Sequence, residues 1–315
     1  MTMTQRKIDS GFDRFSTATE VLAGIDLSGK LALVTGGYSG LGLEATRALA
    51  SAGARVIVPA RRVDVGRTAV ADIDGVEVAA LDLADLGSVH RFSDRFLESG
   101  CGIDILIAGA GVMACPETRV GPGWEAHFAV NHLGHYALVN RLWPALEEGA
   151  RVVAVSSAGH QLSDIRWDDL HFDTGYDRWL AYAQSKTANA LFAVELDRRG
   201  RDRGIIAFAV HPGAIMTPLQ RHMDRAEILE RGWVDEHGQV ADPSFKSAEQ
   251  GAATQVWAAT SPRLAGMGGH YCEDCDIAES TDSSEMIAGV RDYATDPVAA
   301  ARLWELSARL TGLGR

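Results

Sequence analysis

The sequence predicts an α/β fold, a doubly wound and mostly parallel sheet in a single domain. Three observations carry that reading. Short runs that are apolar throughout (LALVT at 31–35, RVIVP at 55–59, IDILIA at 103–108) alternate with stretches of helical period. Strands that are apolar on both faces and separated by helices imply parallel pairing with both sides of the sheet covered, and right-handed crossovers then wind it in two directions. No repeat period and no Pro/Ser-rich linker divides the 315 residues, a length that suits one large α/β domain.

In chain order, residues 1–29 form an arm in which Thr17 and Glu20 make a capping box that opens a short helix over Val21 and Leu22. Strand Leu31–Thr35 leads to an Ala- and Leu-rich helix over Leu41–Ser51. Arg55–Pro59 is the second strand, a helix follows near Val63–Asp72, and Val76–Leu81 is the third strand. Leu86–Glu98 is helical because Val89, Phe92, Phe96 and Leu97 share one face. After the fourth strand, Ile103–Ala108, a long helix over Trp124–Leu146 bends at Gly134 and turns near Pro144. Strand Arg151–Ser156, a helix over Trp179–Arg199 and strand Ile205–Val210 complete the series. Thr217–Ser247 is polar and irregular, which suits a substrate loop over about 212–246. The tail, from about 273 to 315, opens with six acidic residues and no basic one between Glu273 and Glu285, a pattern read as a solvated loop.

Thirty Lys+Arg against 42 Asp+Glu give a net charge of −12, which argues against a nucleic-acid binder. No apolar run is long enough for a spanning helix, and the start has no apolar export region, so a soluble, cytoplasmic chain is expected. Four cysteines make no disulfide framework. Cys272 and Cys275, with His270 nearby, have the spacing of half a zinc site, but two further ligands are wanting and no metal is expected. His127, His132 and His135 form no H-E-x-x-H, and no G-x-S-x-G surrounds Ser157 to recruit His160 into a hydrolase site.

Directly after the first strand comes Thr35-Gly36-Gly37-Tyr38-Ser39-Gly40-Leu41-Gly42. Glycines at a strand–turn–helix junction let backbone approach a pyrophosphate at the helix N-terminus. The second strand ends in Arg61 and Arg62 with no acid at the turn. A guanidinium fork suits a 2′-phosphate, so Arg61 favours NADP(H), with NAD(H) left open. Tyr182 and Lys186, four apart on a helix, share a face, Ser157 follows the fifth strand, and Asn131 lies in the long helix. An ammonium at about 4 Å favours a phenolate by up to roughly 4 kcal/mol at an effective dielectric of ~20, about three pKa units before screening. Such a shift makes a tyrosine a usable acid/base for a carbonyl or alcohol oxygen.

These pieces, in this order, resemble the short-chain dehydrogenase/reductase family, over about residues 28–272. The resemblance implies a Rossmann-type NAD(P)(H) oxidoreductase in which Tyr182 moves the proton, Ser157 positions the oxygen, and Lys186 lowers the tyrosine pKa and holds the nicotinamide ribose. Asn131 would anchor a water that extends the proton path. The implied cofactor contacts are Thr35, Gly36, Ser39, Gly40, Leu41, Gly42, Arg61, Asp82 (adenine), Leu83, Ala110, Gly111, Tyr182, Lys186, Pro212, Gly213 and Thr217. The 25-residue step from Ser157 to Tyr182 and the tail Asp296-Pro…Leu303-Trp-Glu-Leu-Ser resemble the retinol-dehydrogenase-like branch. One departure is Ala108-Gly109-Ala110-Gly111, where many members have Asn-Asn-Ala-Gly. The lid residues Ile215, Met216, Leu219 and Met223 suggest an apolar ketone, aldehyde or alcohol as substrate. The family also implies a homodimer or homotetramer, paired through the helices around Asn131 and Tyr182. The alternative is a nucleotide-sensing protein that uses the fold without chemistry.

Overall fold

The computed structural model describes residues 4–283, 285 and 288–314. In chain order the elements are α1 (Ala18–Val21), β1 (Leu31–Thr35), α2 (Gly40–Ser51), β2 (Arg55–Ala60), α3 (Val63–Ala69), β3 (Val76–Ala80), α4 (Leu86–Glu98) and β4 (Ile103–Ala108). A small hairpin, β5 (Arg119–Val120) and β6 (Trp124–Glu125), precedes α5 (Gly134–Leu142) and β7 (Leu146–Val155). Then come α6 (Arg178–Gly200), β8 (Ile206–His211), α7 (Arg225–Glu230), α8 (Ala248–Thr260), β9 (Tyr271–Glu273), β10 (Asp276–Ile277) and α9 (Pro297–Thr311).

Among the described residues eight strands form one sheet in the order β10-β9-β8-β7-β4-β1-β2-β3, in which only the β10–β9 pair is antiparallel. From β1 the chain winds outward through β2 and β3, then returns to β4 on the other side. That reversal opens a crevice at the C-terminal ends of β1 and β4. One core layer packs α4, α5 and α6 on the sheet, and a second packs α1, α2 and α8 on the opposite face.

Several expectations need correcting. β3 is an edge strand with no fully buried residue, so it is not covered on both faces. The long helix starts later than its apolar pattern suggests, because Trp124 and Glu125 pair with Val120 and Arg119 in the hairpin. At Gly134 a π-helical turn, Phe128–Leu133, passes into α5, with the Gly134 amide donating to the Ala129 carbonyl. Glycine is required there because a Cβ would overlap the Leu83 carbonyl. β7 begins at Leu146, inside the span read as helix. The acidic stretch after 273 is not a solvated loop at its start. Glu273 and Asp276 lie buried in strands, Asp276 accepts the amides of Ile8 and Ser10, and Glu273 accepts that of Gly289. Asp274 and Cys275, both at positive φ, make the two-residue turn between β9 and β10.

α9 lies along α6 within the same chain. Trp304 stacks on Phe192 at 5.8 Å between ring centroids and 13° between planes, the Arg199 guanidinium lies over Trp304, and His132 bonds Ser307 Oγ at 2.8 Å. The Tyr136 hydroxyl donates to the Leu313 carbonyl. Among the described residues no helix is long and apolar enough to cross a membrane.

His132, His135 and His160 are buried, and burial pushes their imidazoles down to about 3, 4 and 4. Below the ordinary value near 6.5 the unfolded chain binds protons that the fold refuses, so stability falls as pH drops through that window. Glu273, pushed up to about 7 by burial, and His127, held at about 9, act in the opposite sense, while His211, pushed down to about 3 by burial, adds to the first three. Urea unfolding is expected to lose on the order of 3–5 kcal/mol between pH 7 and pH 4.5. An unchanged midpoint would mean that these rings are already charged in the folded chain.

Candidate active site

The crevice is a cavity of about 750 Å³ whose floor is the glycine-rich loop between β1 and α2. Gly36 holds φ +73°, and a Cβ at Gly42 would overlap the Gly36 carbonyl, so this tight turn needs both glycines. Ser39 caps α2 without a side-chain bond to its amides, which leaves the helix N-terminus able to receive an anion. Of the residues inferred from sequence, Thr35, Gly36, Ser39, Gly40, Leu41, Gly42, Arg61, Asp82, Leu83, Ala110, Gly111, Ser157, Tyr182, Lys186, Pro212, Gly213 and Thr217 all line this one cavity. Asn131 does not; it stands behind the wall. Its Oδ1 accepts the Val112 amide at 2.8 Å, and its Nδ2 donates to the Val112 carbonyl and to Ser185 Oγ.

Asp177 caps α6 by accepting the amides of Trp179 and Leu180, and this sets the phase that turns Tyr182 and Lys186 toward the end of β7. Tyr182 is buried; burial pushes its phenol up to about 12, and the neighbouring Ser157 hydroxyl only partly opposes this. Lys186 donates to the Val155 carbonyl at 2.9 Å, lies 5.6 Å from the tyrosine ring centroid, and is pushed down to about 8 by burial. In this arrangement burial dominates the phenol, and the Lys186 ammonium stands near its ring, anchored on the β7 carbonyl. The two serines divide as the sequence suggests. Ser156 is buried and donates to the Lys186 carbonyl, whereas Ser157 faces the phenol. His160 bonds the Ser157 carbonyl through Nδ1, and Tyr271 donates to the same oxygen, so neither approaches the serine hydroxyl as a base would.

Sequence reasoning missed a buried cluster beside Tyr182. Glu125 Oε1 lies 2.7 Å from His127 Nδ1, and His127 Nε2 lies 3.4 Å from Cys115 Sγ. Burial pulls His127 down, but its bonds to Cys115 and Glu125 outweigh this and hold it at about 9. Its ring meets Tyr182 edge-on at 6.1 Å. Glu125 and His127, two apart before an apolar run, offered only a weak local signal. Met113, Met223, Trp179, Leu219 and Trp233 form an apolar group around Tyr182. Lys246, whose side chain is buried, packs against Gly213 and pairs with Asp274 at 2.5 Å. Cys272 and Cys275 are buried free thiols, and among the described residues no three His, Cys, Asp or Glu side chains group as a metal site would need.

The residues present fit a dinucleotide: a glycine cradle that any Cβ would fill, an open helix N-terminus, and Arg61 without a carboxylate partner among the described residues.

Residues 30–228 match the family model described as short chain dehydrogenase. The "Probable oxidoreductase" of Streptomyces lividans is 44% identical over 301 residues, which span 92% of this chain and 100% of that protein. "Retinol dehydrogenase 12" of Mus musculus is 37% identical over 297 residues, 92% of this chain and 88% of that one. Among solved structures, a crystal structure of a protein from Mycobacterium Paratuberculosis is similar at 35% identity with a TM-score of 0.71, covering 95% of this chain and 98% of the other. A short chain dehydrogenase from Burkholderia cenocepacia J2315 in complex with NADP shares the fold, with a TM-score of 0.62 at 24% identity over 78% of this chain and 96% of that one. The glycine-loop crevice, the Tyr182–Ser157 pair beside Lys186 and these likenesses together place the chain in the short-chain dehydrogenase/reductase family, as an oxidoreductase.

Proposed function

We propose that the chain is an NADP(H)-dependent oxidoreductase that moves hydride between the nicotinamide and the carbonyl or alcohol carbon of an apolar substrate, with Tyr182 as the general acid/base. The observation that carries this reading is that Tyr182, Ser157 and Lys186 line one wall of a cleft floored by a glycine-rich loop. The cofactor, when bound, supplies or accepts the hydride. In reduction, hydride adds to the carbonyl carbon, the C=O π pair moves to oxygen, and that oxygen takes the phenol proton of Tyr182. Ser157 hydrogen-bonds the same oxygen and fixes its place. A phenol held up near 12 keeps its proton at neutral pH, the state in which it can donate to a substrate oxygen.

Lys186, buried and anchored on Val155, supplies the fixed positive charge that offsets a phenolate once the proton has left. Its remaining N–H groups suit the nicotinamide ribose. Asn131 gives its Nδ2 hydrogens to Val112 and Ser185 and its backbone carbonyl accepts from His135, so the second lone pair of Oδ1 is what remains for a water. The apolar group of Met113, Trp179, Leu219, Met223 and Trp233 supports an apolar ketone, aldehyde or alcohol, in keeping with the printed name of the mouse relative. Arg61 supports NADP(H) over NAD(H) through its guanidinium at the cleft, which has no carboxylate partner among the described residues. The expected pairing through the helices around Asn131 and Tyr182 meets an obstacle, because α9 already lies on α6. We read the chain as a monomer with respect to that face.

Tyr182→Phe is expected to fold, to bind NADPH and to lose at least about 100-fold in kcat against a panel of apolar ketones and aldehydes. A variant that keeps more than a few per cent of the rate removes the phenol from the mechanism. Arg61→Asp should weaken NADPH roughly 10–100-fold and NADH little; equal losses, measured by fluorescence titration, would contradict the 2′-phosphate role. Sedimentation equilibrium should return a mass near 33.7 kDa, and twice that mass would show that the chain pairs despite α9.

A further inference from the structure

His135 stood out in the sequence only as one of three histidines without a metal motif. In the structure it is buried in the first turn of α5, just past the π-helical turn. Its Nδ1 lies 2.9 Å from the Asn131 carbonyl oxygen, and its Nε2 lies 2.8 Å from Thr35 Oγ1. A carbonyl can only accept, so Nδ1 carries the hydrogen. Burial, reinforced by the charge of Lys186, pushes the ring down to about 4, so at neutral pH it has this one N–H and no other.

Nε2 is then a bare acceptor, and the Thr35 hydroxyl must donate to it. The alternative acceptor for that proton, the Ile107 carbonyl at 3.3 Å, is the more distant one. With its proton committed, Thr35 Oγ1 turns both lone pairs outward, and they accept the amides of Gly109 at 2.9 Å and Ala110 at 3.1 Å. Every polar atom in the chain of bonds is satisfied, and each bond has one possible direction. Gly109 is one of the two positions, with Ala108, where this chain lacks the asparagine side chains of many family members. At the other end, the Asn131 side chain holds Val112 and Ser185, the neighbour of Lys186.

We propose that His135 is a positioning residue whose single tautomer ties the entrance of the cofactor loop at Thr35 and Gly109–Ala110 to the Asn131 turn that backs Lys186. The proposal rests on the reading of the cleft as an NADP(H) oxidoreductase site and deepens it.

The two arms of the ring can be cut separately. In His135→Asn the side-chain amide still reaches the carbonyl four residues back, as Asn140 Nδ2 does to the Tyr136 carbonyl at 2.8 Å in the same helix, but it cannot reach Thr35. In His135→Gln the longer amide places an oxygen where Nε2 now sits, so Thr35 keeps its acceptor and Asn131 loses its donor. The asparagine variant should raise the Kd for NADPH about tenfold and leave kcat within about twofold. The glutamine variant should do the reverse, with kcat down about tenfold and Kd within about twofold. Kd is read by fluorescence without substrate, and near-UV circular dichroism verifies that each variant is folded. Equal losses in both variants, or a common fall in Tm with Kd and kcat unmoved, would overturn the proposal and leave His135 as a core residue. Wild-type chain that binds NADPH but reduces no carbonyl would instead sink the proposed function, and the Kd split would still report on the Thr35 arm.

Discussion

A phenol and an ammonium buried one helical turn apart are the constraint around which this structure is arranged. Neither tolerates burial without a partner. Tyr182 stands beside the Ser157 hydroxyl at the cleft wall, and Lys186 finds the Val155 carbonyl. Both partners come from the C-terminal end of β7 or the residues just past it, so α6 must cross that end in one phase only. Asp177 sets the phase by capping the helix, and α9 presses the far end of α6 through the Phe192–Trp304 stack. The same burial that holds the phenol protonated makes it a donor, so the cost of placing it there and its chemical use have one origin.

Around this pair the fold supplies polar partners from backbone and neutral rings more than from free charge. His160 and Tyr271 hold the Ser157 carbonyl, and His135 holds the Asn131 carbonyl. Charge enters through Lys246–Asp274 and, fully buried, through the Glu125–His127 pair. It survives burial because Glu125 also accepts the amides of His127 and Phe128 and so has few unmet lone pairs. Except for the Lys246–Asp274 pair, each of these groups lies where the π-helical turn, the ends of β4 and β7 and the start of α6 converge, at the crevice made by the reversal in strand order.

Much of this was legible in the sequence, for reasons that differ by element. The ends of α4 and β4 fall where the pattern puts them, because α4 has one apolar face and β4 is apolar on both. The cofactor-loop residues converge on one cavity because spacing at a strand–turn–helix junction fixes local geometry. α8 was passed over since every residue from Gly251 to Ala259 is buried, which erases helical periodicity. The hairpin at Trp124 reads as helix because two-residue strands are too short to show alternation. Glu273 and Asp276 misled for a different reason: their charge is matched by backbone amides from Gly289, Ile8 and Ser10, and those contacts are distant in sequence. The Tyr182–Lys186 spacing revealed the pair, but the nearer partner that each would choose was visible only in three dimensions.

The central claim is that the Tyr182 phenol is the proton that reaches the substrate oxygen. Its most direct test replaces Tyr182 alone with a fluorinated tyrosine, whose phenol is more acidic but nearly the same shape, and follows the pH–rate profile for carbonyl reduction. The alkaline limb should move to lower pH by the difference in phenol acidity, while NADPH affinity stays the same. A limb that does not move would mean that another group delivers the proton.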